Sequence, residues 1–266
     1  MAFFSMWQKV SNFGALLGIL GVSINSVMGS AYEAHVAFGA IAITCIVVLG
    51  YVAWRVRVWQ QTIYPKGYRP ISTFVRYMTT DGKSITHETF RHIQIKHTYL
   101  AKIEHRYNWS GTKAPVVSSD LQSLGAEAVD AATGFNVRCV HFERPRFYNE
   151  TEVVHLRSEC DDSDQMSSPF VSMLIDTPVT IIHFRVELLH CGKANHGGMK
   201  ATIERKLQTK PGDVFDRLGE VAFDVNSRSF SHLLKHPEAG YVYRMRWERP
   251  QLQAPRRNGH KKPGVP

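Results

Sequence analysis

Charge is missing from two long stretches of this 266-residue chain: residues 10–32 and residues 34–54 contain no Lys, Arg, Asp or Glu. Acid is missing from two others. Residues 55–69 hold Arg55, Arg57, Lys66 and Arg69 without a carboxylate, and the chain after Glu248 holds Arg249, Arg256, Arg257, Lys261 and Lys262 without one. These two basic segments account for the whole excess of +9, so residues 70–248 are net neutral. That distribution argues against a nucleic-acid polymer as partner, because such domains carry their basic face within the folded unit. Cysteine is scarce: Cys45, Cys139, Cys160 and Cys191 stand far apart with no CxxC, which excludes a disulfide framework and suits a reducing compartment. There is no G-x-S-x-G, no phosphate-binding loop and no G-x-G-x-x-G, and no internal repeat.

The uncharged stretches are what is there instead. Ala34 to Trp54 is 21 residues long, enough to cross a hydrocarbon core of about 30 Å as a helix. Tyr51, Trp54 and Trp59 mark one end, as an interfacial aromatic belt does. Val10 to Met28 is diluted by Ser and Asn, but Gly14, Gly18 and Gly21 give it a small-residue face, and Ala37 and Ala40 offer one on the second stretch. The pattern predicts a transmembrane helical hairpin over residues 1–59, turning at Gly29–Glu33. A signal peptide cleaved after Ala31 is the competing reading of the first stretch. Arg55, Arg57, Lys66 and Arg69 then contact the membrane surface. By the positive-inside rule they leave the rest of the chain in the cytosol, on a multi-pass protein of the inner (plasma) membrane.

Residues 60–71, with Pro65, Gly67 and Pro70, read as a juxtamembrane linker, and residues 251–266 as a disordered basic tail. Between them, over 72–250, the period changes to two. Thr73–Thr79 runs into Asp81-Gly82, a hairpin signal. Tyr99–Trp109, Val137–Phe142, Val153–Leu156, Val179–Leu189, Val221–Val225 and Tyr241–Trp247 read as further strands, with a break at Arg144-Pro145. Short helices are expected at Ser119–Ala131, Asp213–Leu218 and Ser229–Lys235. Six to eight strands without βαβ alternation predict an antiparallel β-sandwich or barrel.

No catalytic constellation stands out, and the chain is expected to be neither an enzyme nor a cofactor binder. His190, Cys191 and His196 supply at most three ligands of a zinc site, so an incidental loop is expected there. Asp161, Asp162 and Asp164 supply only part of a calcium loop and read as a solvated turn. His97 and His105 fall on the Trp109 face of a strand as half-buried histidines. Trp109 offers an aromatic wall for a ligand, and Arg76, Arg91, Arg138, Arg144 and Arg146 are available for a local anion pocket, with Arg138, Arg144 and Arg146 the nominated set.

Two N-terminal apolar helices followed by a β-rich cytosolic domain make a layout that resembles the 2TM–β effectors of bacterial cyclic-oligonucleotide antiphage systems. The resemblance implies a β domain that senses a cyclic nucleotide or protein partner, and an anchor that homo-oligomerises and disrupts the bilayer. The alternative is a passive tether that holds a cytosolic partner at the membrane.

Overall fold

A computed structural model describes residues 31–131, 135–192, 198–209, 212 and 214–250. Gly14, Gly18 and Gly21, the whole first arm of the expected hairpin, His196 and the basic tail lie outside the described residues. The chain divides into two compact units, Met1–Gln60 and Gln61–Pro266.

Helix α1 spans Ala31–Ile63. Ala31, Tyr32 and Glu33, expected in a turn, are its first residues, and Arg55 and Arg57 lie inside it rather than beyond its end. The stretch Phe38–Ile63, 26 residues, is long and apolar enough to cross a membrane. Its apolar side chains find no core: Phe38, Ile43, Ile46, Val47 and Leu49 are all exposed. Among the described residues one helix, not two, meets that test, so a multi-pass arrangement is not supported. The expected linker shrinks to Tyr64–Gly67, because α1 ends at Ile63 and β1 begins at Tyr68. It closes by a Gly67 N–H bond to Tyr64 O of 2.8 Å, with Gly67 at φ 79°, a conformation that suits glycine.

The second unit holds thirteen strands among the described residues, more than the six to eight expected. β1 (Tyr68–Thr79), β2 (Ser84–Ile95), β4 (Val116–Ser118), β7 (Thr151–Asp161), β9 (Ile181–Leu188) and β12 (Ser229–Lys235) form one six-stranded sheet, ordered β12-β9-β1-β2-β7-β4. β8 (Phe170–Ile175), β10 (Lys200–Leu207), β11 (Asp216–Ala222) and β13 (Tyr241–Trp247) form a second, ordered β11-β10-β13-β8. β3 (Tyr99–Tyr107), β6 (Asn136–Phe147) and β5 (Ser123–Val129) form a third, in the order β3-β6-β5. The purely antiparallel expectation is corrected at one ladder: β1 and β9 run parallel from Ser72↔Ile181 to Thr79↔Leu188.

All three expected helices are corrected to strands as well. β5 falls within Ser119–Ala131, Asp216–Leu218 starts β11, and Ser229–Lys235 is β12 throughout. In β12 the ladder to β9 places Phe230 opposite Val186 and Leu234 opposite Ile182. Strand propensity of this kind follows packing on the neighbour more than the segment's own preference. β6 also runs through the expected break at Pro145. Its pairing with β3 steps from Arg146 to His141 across a bulge, so Pro145 sits where no β3 partner asks for its missing N–H.

Period-two alternation puts Val75, Ile93 and Ile95 on one face of the six-stranded sheet, and both smaller sheets cover that face. The β12-β9-β1 half packs against the four-stranded sheet through Phe184, Phe230, Ile203, Met245 and Trp247. The β2-β7-β4 half packs against the three-stranded sheet through Ile93, Ile95, Val140, Val154 and Leu156. The second layer of the sandwich is therefore split, with a core under each part. The opposite face is closed by its own charges. Arg76 lies 2.7 Å from Glu187 and 3.3 Å from Glu88, and Arg185 lies 2.7 Å from Glu187.

Candidate functional site

The split leaves a cleft of about 730 Å³ over the middle of the six-stranded sheet. Its floor is made by β1 and β2, whose alternate residues Thr73, Val75, His87, Thr89 and Arg91 point up into it. Consecutive residues of β3, Lys102 to Tyr107, line one wall, and consecutive residues of β8, Phe170 to Ile175, line the other. Each of these two strands is the outermost member of its own sheet among the described residues.

Arg91 is the electrostatic feature of the floor. It is half-buried, its Nη1 donates to the Tyr68 hydroxyl at 3.3 Å, and no carboxylate among the described residues pairs with it. Two histidines share the cleft with it. Burial pushes His87 down to about 4 and His105 down to about 3, the latter aided by the positive field of Arg91. Both are therefore neutral at pH 7 and able to donate one hydrogen bond and accept another. Cys160, also in the lining, is pushed up to about 12 by burial and stays a thiol. Trp109 closes one end. Its indole Nε1 is buried and has no hydrogen-bond partner among the described residues. The ring packs on Gly111, where an added Cβ would lie 2.5 Å from Nε1.

Of the residues nominated from sequence, Trp109 lines the cleft and Arg138, Arg144 and Arg146 do not. Arg138 pairs with Glu127 at 3.0 Å, Arg144 with Glu150 at 3.5 Å, and Arg146 with Glu152. Lys66, expected at a membrane surface, lines the cleft and pairs with Asp176. Arg69 is exposed on β1, Arg55 and Arg57 are exposed on α1, and Ala37 and Ala40 lie one turn apart on it. Sequence reading counted Arg91 among five available arginines without singling it out, and gave His87 no role. The available signal was the hairpin register: counting back from Asp81-Gly82 pairs Arg76 with Glu88 and leaves Arg91 opposite Thr73.

Asp161 and Asp164 of the acidic knot are exposed, as a solvated turn requires, and the expectation is corrected at Asp162, which is a buried lock. Asp162 is fully buried and accepts from Ser167 N–H at 2.8 Å, Ser167 Oγ at 2.7 Å and Arg249 Nη1 at 2.7 Å. Asp161 pairs with Lys113 at 2.5 Å, which holds its carboxyl down to about 2. Cys191 is buried. No group of three or more His, Cys, Asp or Glu among the described residues is placed to hold a metal.

No family model matches the chain, and no curated protein is similar to it. Solved structures similar to it include an M1 zinc metallopeptidase from Deinococcus radiodurans, as a mutant bound to a Tyr-Ser-Ala substrate. That one is 12% identical with a TM-score of 0.35, and the match covers 67% of this chain and 42% of that one. The same peptidase without the mutation is 11% identical with a TM-score of 0.33, covering 68% of this chain and 42% of that one. This chain thus spans well under half the length of the structures it matches. The expectation of a non-enzymatic chain is withdrawn, because the solved structures similar to this chain include those of peptidases. At these TM-scores the likeness assigns no activity to the cleft.

Proposed function

We propose that this protein is a membrane-tethered binding protein: α1 holds the β domain at a bilayer, and the cleft over β1 and β2 receives an anionic group of a ligand or partner. The observation that carries the reading is Arg91, a half-buried cation on the cleft floor without a carboxylate partner among the described residues. Holding a charge out of water without a counter-ion is costly, and a carboxylate or phosphate arriving at it would offset that cost with charge-assisted hydrogen bonds. The neutral His87 and His105 and the unpaired indole N–H of Trp109 supply further donors around the same space. The exposed apolar surface of Phe38–Ile63 supports the tether.

The test has two arms. Alkaline carbonate should leave the full chain in the membrane pellet, and Trp109 fluorescence in detergent should respond saturably to inorganic pyrophosphate, with at least tenfold weaker binding in Arg91→Gln. Extraction by carbonate refutes the tether. Equal binding by Arg91→Gln refutes the cleft. The layout resemblance adds an effector that depolarises the membrane once occupied. Induced expression of the full chain beside residues 60–266 separates it from a passive tether, because only the effector's full-length form collapses the membrane potential.

A further inference from the structure

The two walls of the cleft are sheet edges facing each other across a gap. An edge strand carries a row of N–H and C=O groups without ladder partners, and proteins normally blunt or cover such rows. Here two of them border one space. On β8, Trp247 N–H donates to Pro169 O at 3.1 Å. In an antiparallel ladder that parity turns the backbone groups of Val171 and Met173 toward β13, and those of Ser172 and Leu174 away from it. On the other side, Asp130 N–H donates to Phe135 O at 2.9 Å. The alternation along β6 then gives Ile103 and His105 to the β6 ladder and leaves Glu104 and Arg106 with outward backbone groups.

We propose that the cleft takes an extended acidic segment of a partner protein, which adds as a strand to the free edges of β8 and β3 and places a carboxylate on Arg91. This rests on the reading of the cleft as a binding site and names its occupant. The dimensions agree. A residue in a packed sheet occupies about 3.4 Å along the strand, 4.8 Å to the next strand and 10 Å to the next layer, or about 160 Å³. The 730 Å³ of the cleft then holds about four or five residues, the length of an ordinary short strand.

Sign and side-chain chemistry agree as well. Alternate side chains of an added strand point at the floor, where Arg91 stands among neutral groups such as Thr73, His87 and Thr89. One acidic side chain directed down, flanked by small or β-branched residues, satisfies that floor, while main-chain bonds to the edges supply affinity. The chain's own segment after Glu248 carries only basic charge and has the wrong sign.

The experiment uses the full chain in detergent and an array of acetylated, amidated pentapeptides with Glu fixed at the centre. Matched arrays carry Lys at the centre, or N-methyl groups at alternate backbone nitrogens. Glutamate peptides should bind at least tenfold better than lysine ones, lose binding on N-methylation in one of the two registers, and lose their preference in Arg91→Gln. Ser172→Pro, which removes an outward N–H without touching the β13 ladder, should weaken them at least tenfold, and Ser172→Ala should not. Should Ser172→Pro fail to fold, the N-methylated array carries the same question.

Binding that needs Arg91 but ignores N-methylation in both registers, or pyrophosphate binding without peptide binding, overturns strand addition and leaves the anion-binding reading intact. Loss of both peptide and pyrophosphate binding overturns both. A peptide of residues 251–266 that binds more tightly than every glutamate peptide makes the chain's own tail the occupant and overturns the proposal.

Discussion

Replacing Asp162 by alanine removes a charge that is fully buried and that holds together three parts of the second unit. Its carboxylate receives the Ser167 backbone N–H at 2.8 Å, Ser167 Oγ at 2.7 Å and Arg249 Nη1 at 2.7 Å. Its own N–H donates to Lys83 O at 2.8 Å, beside the β1–β2 turn. Without the carboxylate, the Ser167 N–H becomes a buried donor with nothing to meet, at a cost of about 1–3 kcal/mol. Breaking a buried ion pair costs about 3–5 kcal/mol. Arg249 is 27% exposed and keeps its bond to Ser167 O at 2.5 Å, which moves the total toward the low end, about 3 kcal/mol. For a unit of this size each kcal/mol shifts Tm by about 2–4 °C, so Asp162→Ala should melt about 6–12 °C lower. Tryptophan fluorescence of the full chain in detergent reads the transition. A double-mutant cycle with Arg249→Ala should return a coupling of about 1–3 kcal/mol. A Tm loss under about 2 °C for Asp162→Ala, with no coupling to Arg249, would refute the lock.

Two further outcomes follow from the cleft. His87 is lowered from 6.5 to about 4 and His105 from 6.5 to about 3. The unfolded chain therefore binds protons that the folded chain refuses once the pH drops below 6.5. Stability from these groups is fully present above pH 6.5 and is lost progressively down to about pH 3. Melting temperature against pH should show that slope, and His105→Gln should flatten it. Gly111→Ala should lift the Trp109 indole from its seat, since the new Cβ would stand 2.5 Å from Nε1. A shift in emission with an unchanged β-sheet circular dichroism spectrum checks it.

The parts of this fold that were legible in the sequence are those specified by neighbours in the chain. Asp81-Gly82 announces the β1–β2 hairpin because Asp81 Oδ1 accepts the Lys83 and Ser84 N–H groups at 2.8 and 2.7 Å. Tyr241–Trp247 alternates cleanly and is β13 residue for residue. Ser229–Lys235 misled because Phe230, Leu233 and Leu234 also satisfy a helical spacing, and only β9, distant in sequence, decides between the two. The arginines show the same limit for the site. Arg138, Arg144 and Arg146 looked as available as Arg91, yet each has a glutamate a few residues or one strand away. Which guanidinium is left over is settled by cross-strand register, which composition does not carry.

The parallel ladder between β1 and β9 has a temporal consequence. Strand β1 leaves the ribosome directly after α1, and its β9 partner follows roughly a hundred residues later. At about 5–20 residues per second that is about 5–20 s of synthesis. The β1–β2 hairpin closes early, in about 1–10 μs, and then waits with the hydrogen-bonding edge of β1 open. During translation the nascent chain is thus a half-built sheet, and its window of greatest exposure to misassociation ends only when Ile181–Leu188 emerges.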